Sequence, residues 1–436
     1  MNPVLPLQVF VPDPEARHGA DGRTYVYGSL DLSGSSSYCS REYRVFSSAD
    51  LVAWRDHGRS FTTEDDALGE PWRDATLYAP DCVYAHGRYH LFFCTAANGE
   101  GVATAELPSG PFSSPVPVAG AHGDAIDPAA FIDDDGKAYL FWGQFHARGA
   151  RLRDDLRSID ATTLHRSLIT EEEHGFHEGL SIRKHNGVYY LVYADISRGR
   201  PTSLGYATAS APLGPYEKRG IIIDNTGCDP HTWNNHGSIE KVNGSWYVFY
   251  HRASQGSRFN RRMCIEPIQI LADGTIPEVP MTTSGVEGPL DPCRFIDASR
   301  ACSLAGGLYA APVRCPESAD DSLPANADGY HEVLMNITDG SAAGYRFFAF
   351  SGQTRFHCVA SSGTYGGRIE IRLDDLEGEV IGECEVEGTG AWGRFTRSSC
   401  EVRPVDGTHA VWLIFRRGRG QPDGRLLDVR GFRFGR

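Results

Sequence analysis

A glutamate between a histidine and a glycine, in Phe176-His177-Glu178-Gly179-Leu180, opens an apolar run that ends at the turn Asn186-Gly187. A carboxyl in that setting suits a raised pKa and the donation of a proton. Asp13, between Pro12 and Pro14, sits in a rigid and exposed setting that suits an ionised base. Asp127, in Ile126-Asp127-Pro128, is placed to orient the acid and tune its proton affinity, because neighbouring carboxylates push pKa values apart. One neutral and one ionised carboxyl facing each other across a pocket are the minimum for hydrolysing a glycosidic bond. The acid protonates the leaving oxygen, and the other carboxylate activates water on the opposite face of the sugar. Tyr78, Trp142 and Trp233 offer aromatic faces for a sugar ring, or for packing between strands. His236, in Asn234-Asn235-His236-Gly237-Ser238, holds a water or metal ion, or is a hydrogen-bonded core residue.

These residues need a scaffold that brings distant parts of the chain to one point, and the sequence repeats one pattern five times. A polar residue (Asp13, Asp81, Asp127, Glu178, His236) precedes a short apolar strand, a Gly-containing turn and an aromatic strand. The turn glycines are Gly22, Gly87, Gly136, Gly187 and Gly244, roughly 50 to 65 residues apart, the spacing of propeller blades of about four strands each. Each polar residue lies six to nine positions before its glycine. If the inner strand of each blade starts at the axis, four carboxylates and a histidine converge on one pocket. Residues 1–290 are therefore expected to form a five-bladed β-propeller. A Pro-rich stretch, Pro277 to Pro292, reads as a linker. Residues 291–436 change texture, with strands such as Arg368 to Leu373 and Ala410 to Phe415 between Gly- and Asp-rich turns, as in a β-sandwich. The fold class expected is all-β.

Composition narrows the partners. A net charge of −14 argues against a nucleic-acid partner. No apolar run approaches the roughly 20 residues that span a bilayer. The eleven cysteines make no CxxC motif, and the N-terminus shows no signal-peptide pattern. The expectation is a cytoplasmic setting, or secretion if a signal has been removed. Asp133-Asp134-Asp135-Gly136 lacks the spaced partners of a Ca²⁺ loop, and His174 with His177 is not an HExxH zinc motif.

The ordered motifs resemble family 43 glycoside hydrolases, a five-bladed β-propeller group of inverting enzymes. They are Pro12-Asp13-Pro14, Tyr78-Ala79-Pro80-Asp81, Ile126-Asp127-Pro128, His177-Glu178-Gly179 and His236-Gly237-Ser238 with Tyr250-His251-Arg252. The resemblance implies Asp13 as general base, Asp127 as pKa modulator and Glu178 as general acid. It implies an axial pocket for one terminal sugar, lined by Tyr78, Asp81, Trp142, His177, His251 and Arg262. No cofactor is required for the chemistry, and a structural Ca²⁺ on the axis near His236 is the metal expected. The activity expected is an exo-acting α-L-arabinofuranosidase on an oligosaccharide or polysaccharide, with the loop from Arg148 to Gly175 closing the pocket. The alternatives are β-D-galactofuranosidase, β-D-xylosidase, or a non-catalytic sugar-binding propeller. The C-terminal part resembles a family 6 carbohydrate-binding module of jelly-roll type, through Gly366 to Arg372, Gly390-Ala391-Trp392 and Gly407-Thr408-His409. There Tyr365 and Trp392 would sandwich a sugar, with Asp428 where the family's ligand asparagine is usual.

Overall fold

Three of the five repeated turns show why the hairpins form where they do. His86-Gly87, Asn186-Gly187 and Asn243-Gly244 have positive φ at both central residues. This is the turn whose twist matches that of paired strands. Each joins an inner strand to the aromatic strand beside it. The computed structural model describes the chain except residues 66–71, 97–98, 124 and 315–329.

Five antiparallel sheets follow one another along the chain. Their inner strands are Glu15–His18, Asp81–Ala85, Ala129–Ile132, Phe176–His185 and Gly237–Val242. Each inner strand packs against the next, and the first against the fifth, which closes the ring. Two blades depart from the expected four strands. The third has Ala129–Ile132, Ala138–Trp142 and Arg148–Arg151, with isolated bridges such as Gly149 to His165 in place of an outer strand. The fifth ends at Ser257–Ile268, and the N-terminal residues complete its edge. Val4 N–H donates to Met263 O at 3.1 Å, and the Asn2 side chain exchanges two hydrogen bonds with Ile265. Blade 5 is thus sealed by the start of the chain, which satisfies backbone groups that an open sheet edge would expose.

Below the mouth, the axis is filled by ion pairs. Arg17 forks onto Asp81 at 3.0 and 2.5 Å and donates to Ala130 O, linking blades 1, 2 and 3. Arg183, from blade 4, reaches Glu15 of blade 1 and Glu240 of blade 5, each at 2.7 Å. All five inner strands are tied by two arginines. Removing one partner of a buried pair leaves an uncompensated charge. Arg183→Met should therefore destabilise the protein by about 3 kcal/mol, read as a lower urea midpoint at unchanged slope. An unchanged midpoint would show that these pairs do not hold the ring.

The C-terminal part is a sandwich of two antiparallel sheets. One runs in the order Tyr309–Arg314, Tyr330–Ile337, Leu427–Gly435, Arg355–Ser361, Thr396–Glu401, and Ile296–Asp297 adds to Leu427–Gly435. The other runs Ser303–Ala305, Ala342–Ser351, Asp406–Arg416, Gly366–Leu373, Val380–Glu387. Phe348, Phe356, Ile371, Leu413 and Phe432 meet in the core between them. The sandwich docks on the propeller through backbone and side chains alike. Leu304 N–H donates to Gly227 O at 2.6 Å, and Arg262 of blade 5 is ion-paired with Glu332.

Candidate active site

Asp13 and Asp127 each stand just before a proline at the head of an inner strand, in the left-handed region with φ of 55° and 56°. Such a backbone is uncommon outside glycine and persists where the surroundings enforce it. Both are held by one device, a buried acceptor for the backbone N–H. Asp13 N–H points at His251 Nδ1 at 3.3 Å, and Asp127 N–H at Cys94 Sγ at 3.3 Å. Glu178 is re-aimed differently, by register shifts on either side of it in Phe176–His185. The next residue, Gly179, has φ +73°, and a Cβ there would lie 2.9 Å from His236 Cγ. Only glycine lets the imidazole pack against this turn.

The charges sort the carboxyls into unlike states. Burial alone would raise the pKa of Asp13, but Arg261, then His236 and His251, override it and hold it well below the usual carboxylate range. Arg261 Nη1 donates to Asp13 Oδ1 at 3.0 Å, His236 Nδ1 lies 3.4 Å from that oxygen, and Ser29 Oγ donates to Oδ2 at 2.8 Å. Arg261 is itself clamped by Asp31 through Nε and Nη2 at 2.9 and 3.0 Å. Asp127 is pushed the other way. Burial raises it, the Glu178 and Asp13 carboxylates add to that, and His236 opposes it. The Gly179 amide donates to the Asp127 carboxylate, which places it beside Glu178. Gln144 Nε2 donates to Glu178 Oε2 at 2.7 Å and fixes that carboxyl. Burial lowers the His236 pKa, but Asp13, with Asp127 and Glu178, raises it to about 9, so the ring is a cation at neutral pH. His251 goes down to about 3 through burial and Arg261, and as a neutral ring it can accept from Asp13 N–H.

The three carboxyls open into a pocket of about 300 Å³, whose wall includes Tyr38, Tyr78, Ile126, His177 and Trp233. A protected anion on one wall and a hydrogen-bonded carboxyl on another can serve as base and acid. Four residues expected there lie elsewhere. Trp142 is wholly buried in the packing between blades, with its indole N–H toward His122 O at 3.4 Å. Asp81 is spent on Arg17 and on Ala130 N–H at 2.7 Å. It lies inside its strand, paired with Phe92, whereas Asp13, Asp127 and His236 precede theirs. Its shorter distance to the turn glycine was the sign of this. His251 sits behind Asp13, with Nε2 at 3.2 Å from Asn234 O. Arg262 faces away, over the Phe10 ring and onto Glu332, while its neighbour Arg261 enters the pocket. Adjacent strand residues point to opposite faces, so a slip of one position exchanges the two roles. The expected loop from Arg148 to Gly175 contributes nothing to the wall. It acts behind it, through Glu171 Oε2, which accepts from His177 Nδ1 at 2.7 Å.

His236 fits a metal poorly. It is turned toward Asp13, and among the described residues no group of three or more His, Cys, Asp or Glu side chains could hold an ion. Among the described residues, acidic and His side chains alone therefore do not form a ligand set for the expected axial Ca²⁺. In the sandwich, Tyr365 and Trp392 do stand on neighbouring loops, joined by Ser362 and Thr389 at 2.9 Å. Trp392 is not free, however. The Arg425 guanidinium lies 4.0 Å over its ring and is forked onto Asp428, so Asp428 serves to anchor that cover.

Arg261, Asp31, Ser29, Gln144, Tyr38 and Arg200 were not singled out in the sequence. The polar Ser29 and Asp31 directly after an apolar strand were the available signal, since the strand end faces the same side as Asp13.

Comparison with known proteins agrees with this geometry. Residues 1–276 match glycosyl hydrolases family 43, and residues 319–436 match carbohydrate binding module family 6. A xylosidase/arabinosidase of Thermoclostridium stercorarium is 30% identical over 472 residues, covering 95% of this chain and 96% of that protein. The crystal structure of a family 43 arabinoxylan arabinofuranohydrolase from Bacillus subtilis, in complex with cellotetraose, superposes with a TM-score of 0.56 at 26% identity, covering 100% of this chain and 97% of that one. A β-xylosidase/α-arabinofuranosidase from a compost microbial metagenome, in complex with xylotriose in a calcium-free form, has a TM-score of 0.56 at 28% identity over 64% of this chain and 97% of that one. The chain belongs to glycosyl hydrolases family 43, a family of inverting glycosidases, and carries a family 6 carbohydrate-binding module at its C-terminal end.

Proposed function

We propose that the protein is an exo-acting α-L-arabinofuranosidase that removes single terminal furanosyl units from an oligosaccharide or polysaccharide. The observation that carries this is the size and content of the pocket. At about 300 Å³ it is at the small end of ligand sites, and the three carboxyls line it. The names of the relatives, xylosidase/arabinosidase and arabinoxylan arabinofuranohydrolase, support the sugar class.

In this reading Glu178, oriented by Gln144, protonates the glycosidic oxygen as the bond breaks. Asp13, kept ionised by Arg261 and His236, accepts a proton from the water that attacks the opposite face. Asp127, held by the Gly179 amide and pushed up by burial and by the Glu178 and Asp13 carboxylates, retains a proton on the acid side of the pocket, beside Glu178. A β-D-xylosidase is the second reading, since several relatives bear that activity in their names.

A panel of aryl α-L-arabinofuranoside, β-D-xyloside, β-D-galactofuranoside and α-L-arabinopyranoside tests this. The arabinofuranoside should be turned over at least about tenfold faster than the others, a discrimination of about 1.4 kcal/mol. Faster xyloside turnover would move the assignment to the second reading. Silence across the panel, with activity on long chains only, would overturn exo action.

A further inference from the structure

The charge at the pocket is of both signs. Asp13, Asp127 and Glu178 line the pocket together with Arg200 and Trp233, a residue 40% exposed, and Arg258, outside that lining, packs on Trp233. Arg200 Cζ lies 4.6 Å and Arg258 Cζ 4.9 Å from the centre of that ring. Among the described residues neither guanidinium is paired with a carboxylate, in a chain whose net charge is −14. Arg200 Nη2 does meet His177 Nε2 at 3.0 Å. Because Glu171 Oε2 takes the His177 Nδ1 proton, Nε2 is the acceptor, so this contact orients Arg200 without neutralising it. The imidazole thus stands between Arg200 and Glu171.

A cation pair held by an aromatic ring and short of a counterion is suited to a planar anion. The anion cannot be the sugar held among the carboxyls, where it would face Glu178 and Asp127. It must belong to the part of the substrate that stays beside Trp233. Resting on the glycosidase reading above, we propose that Arg200 and Arg258 recognise the carboxylate of a uronic acid carried by the leaving portion of the substrate. The preferred substrate is then an acidic polysaccharide that bears neutral furanosyl branches near uronic acid units.

The test compares kcat/KM for an arabinofuranosylated, uronic-acid-bearing oligosaccharide and for the same molecule after reduction of its carboxyl to a hydroxymethyl group. At low salt the acidic member should be favoured by about three- to fivefold, the scale of one or two partly exposed ion pairs. The ratio should approach one at about 0.5 M salt, where screening reaches within a few ångströms. Arg258→Gln and Arg200→Gln should each lower it toward one. Arginines that only brace Trp233 would slow both substrates alike and leave the ratio in place, so an unmoved ratio overturns the proposal. A wild-type ratio of one at low salt overturns it as well. If neither oligosaccharide is hydrolysed, turnover of the aryl arabinofuranoside decides the cause. Retained turnover sinks this proposal alone, and its absence sinks the glycosidase reading with it.

Discussion

Asp13→Asn and Glu178→Gln should each lower kcat on an oligosaccharide by about 10³- to 10⁴-fold, at the upper end of what a positioned acid or base contributes. Both changes keep the shape of the side chain. Asparagine at 13 can still accept from Arg261 through its oxygen and donate to the Ser29 hydroxyl through its NH2, but its amide cannot take a proton from water. Glutamine at 178 keeps an oxygen for Gln144 but has no acidic proton to give. The two roles separate by leaving group. A dinitrophenyl aglycone departs without protonation, so the Glu178→Gln loss should shrink to about tenfold or less there. Asp13→Asn should lose as much with either aglycone, because its step is the attack of water. Circular dichroism and urea unfolding would confirm that both variants fold. A variant retaining more than about a tenth of wild-type kcat on the oligosaccharide would remove that residue from the proposed chemistry.

Arg261→Met should be the most damaging single change outside the carboxyls. Arg261 is buried and serves Asp13 and Asp31 together. Without it two carboxylates remain in the interior with one cation fewer, at a cost of about 3–5 kcal/mol in unfolding free energy. The sign of the pH dependence follows from Asp13. In the native protein its pKa lies below its unfolded value, so its contribution to stability is complete above that value and is lost as pH falls through the folded pKa. In the variant the His236 cation and the Ser29 hydroxyl are left to oppose burial, and the Asp13 pKa rises. Its contribution then reverses, favouring the folded state at acid pH and fading as pH rises. The acid limb of kcat/KM should move up toward neutrality, because a protonated Asp13 cannot act as base. Urea unfolding at pH 5 and pH 8, with a pH–rate profile, would show both effects. An acid limb that stays where it is in the native enzyme would show that Arg261 does not control Asp13.

The parts of this fold that were legible in the sequence are those governed by neighbours along the chain. Asn186-Gly187 and Asn243-Gly244 turn because these residue types adopt positive φ at little cost, and the aromatic strand after each follows from alternation. The recurrence of that unit five times implied a ring, and with it the meeting of Asp13, Asp127, Glu178 and His236, although Glu178 and Asp13 are 165 residues apart in the chain. What the tertiary structure alone decided is which further side chains reach the axis, and from which side. Asp81 belongs to the same repeat as Asp13, but one hydrogen-bonded strand position places it beneath the pocket, opposite Arg17. Arg261 and Arg262 are indistinguishable as letters. The facing of Ser257–Ile268 within the closed ring sends one to Asp13 and the other to Glu332 of the sandwich. Trp142 and Trp233 are equally aromatic, yet one is packing between blades and the other stands in the pocket wall beside two arginines. The cover that Arg425 places over Trp392 is of the same kind, since it depends on Asp428 standing where an anchor was needed. Local propensity specifies turns and strands through contacts of a few residues, whereas the charge state of Asp13 depends on groups of the fifth blade, far along the chain, which only closure of the ring brings within 4 Å of it.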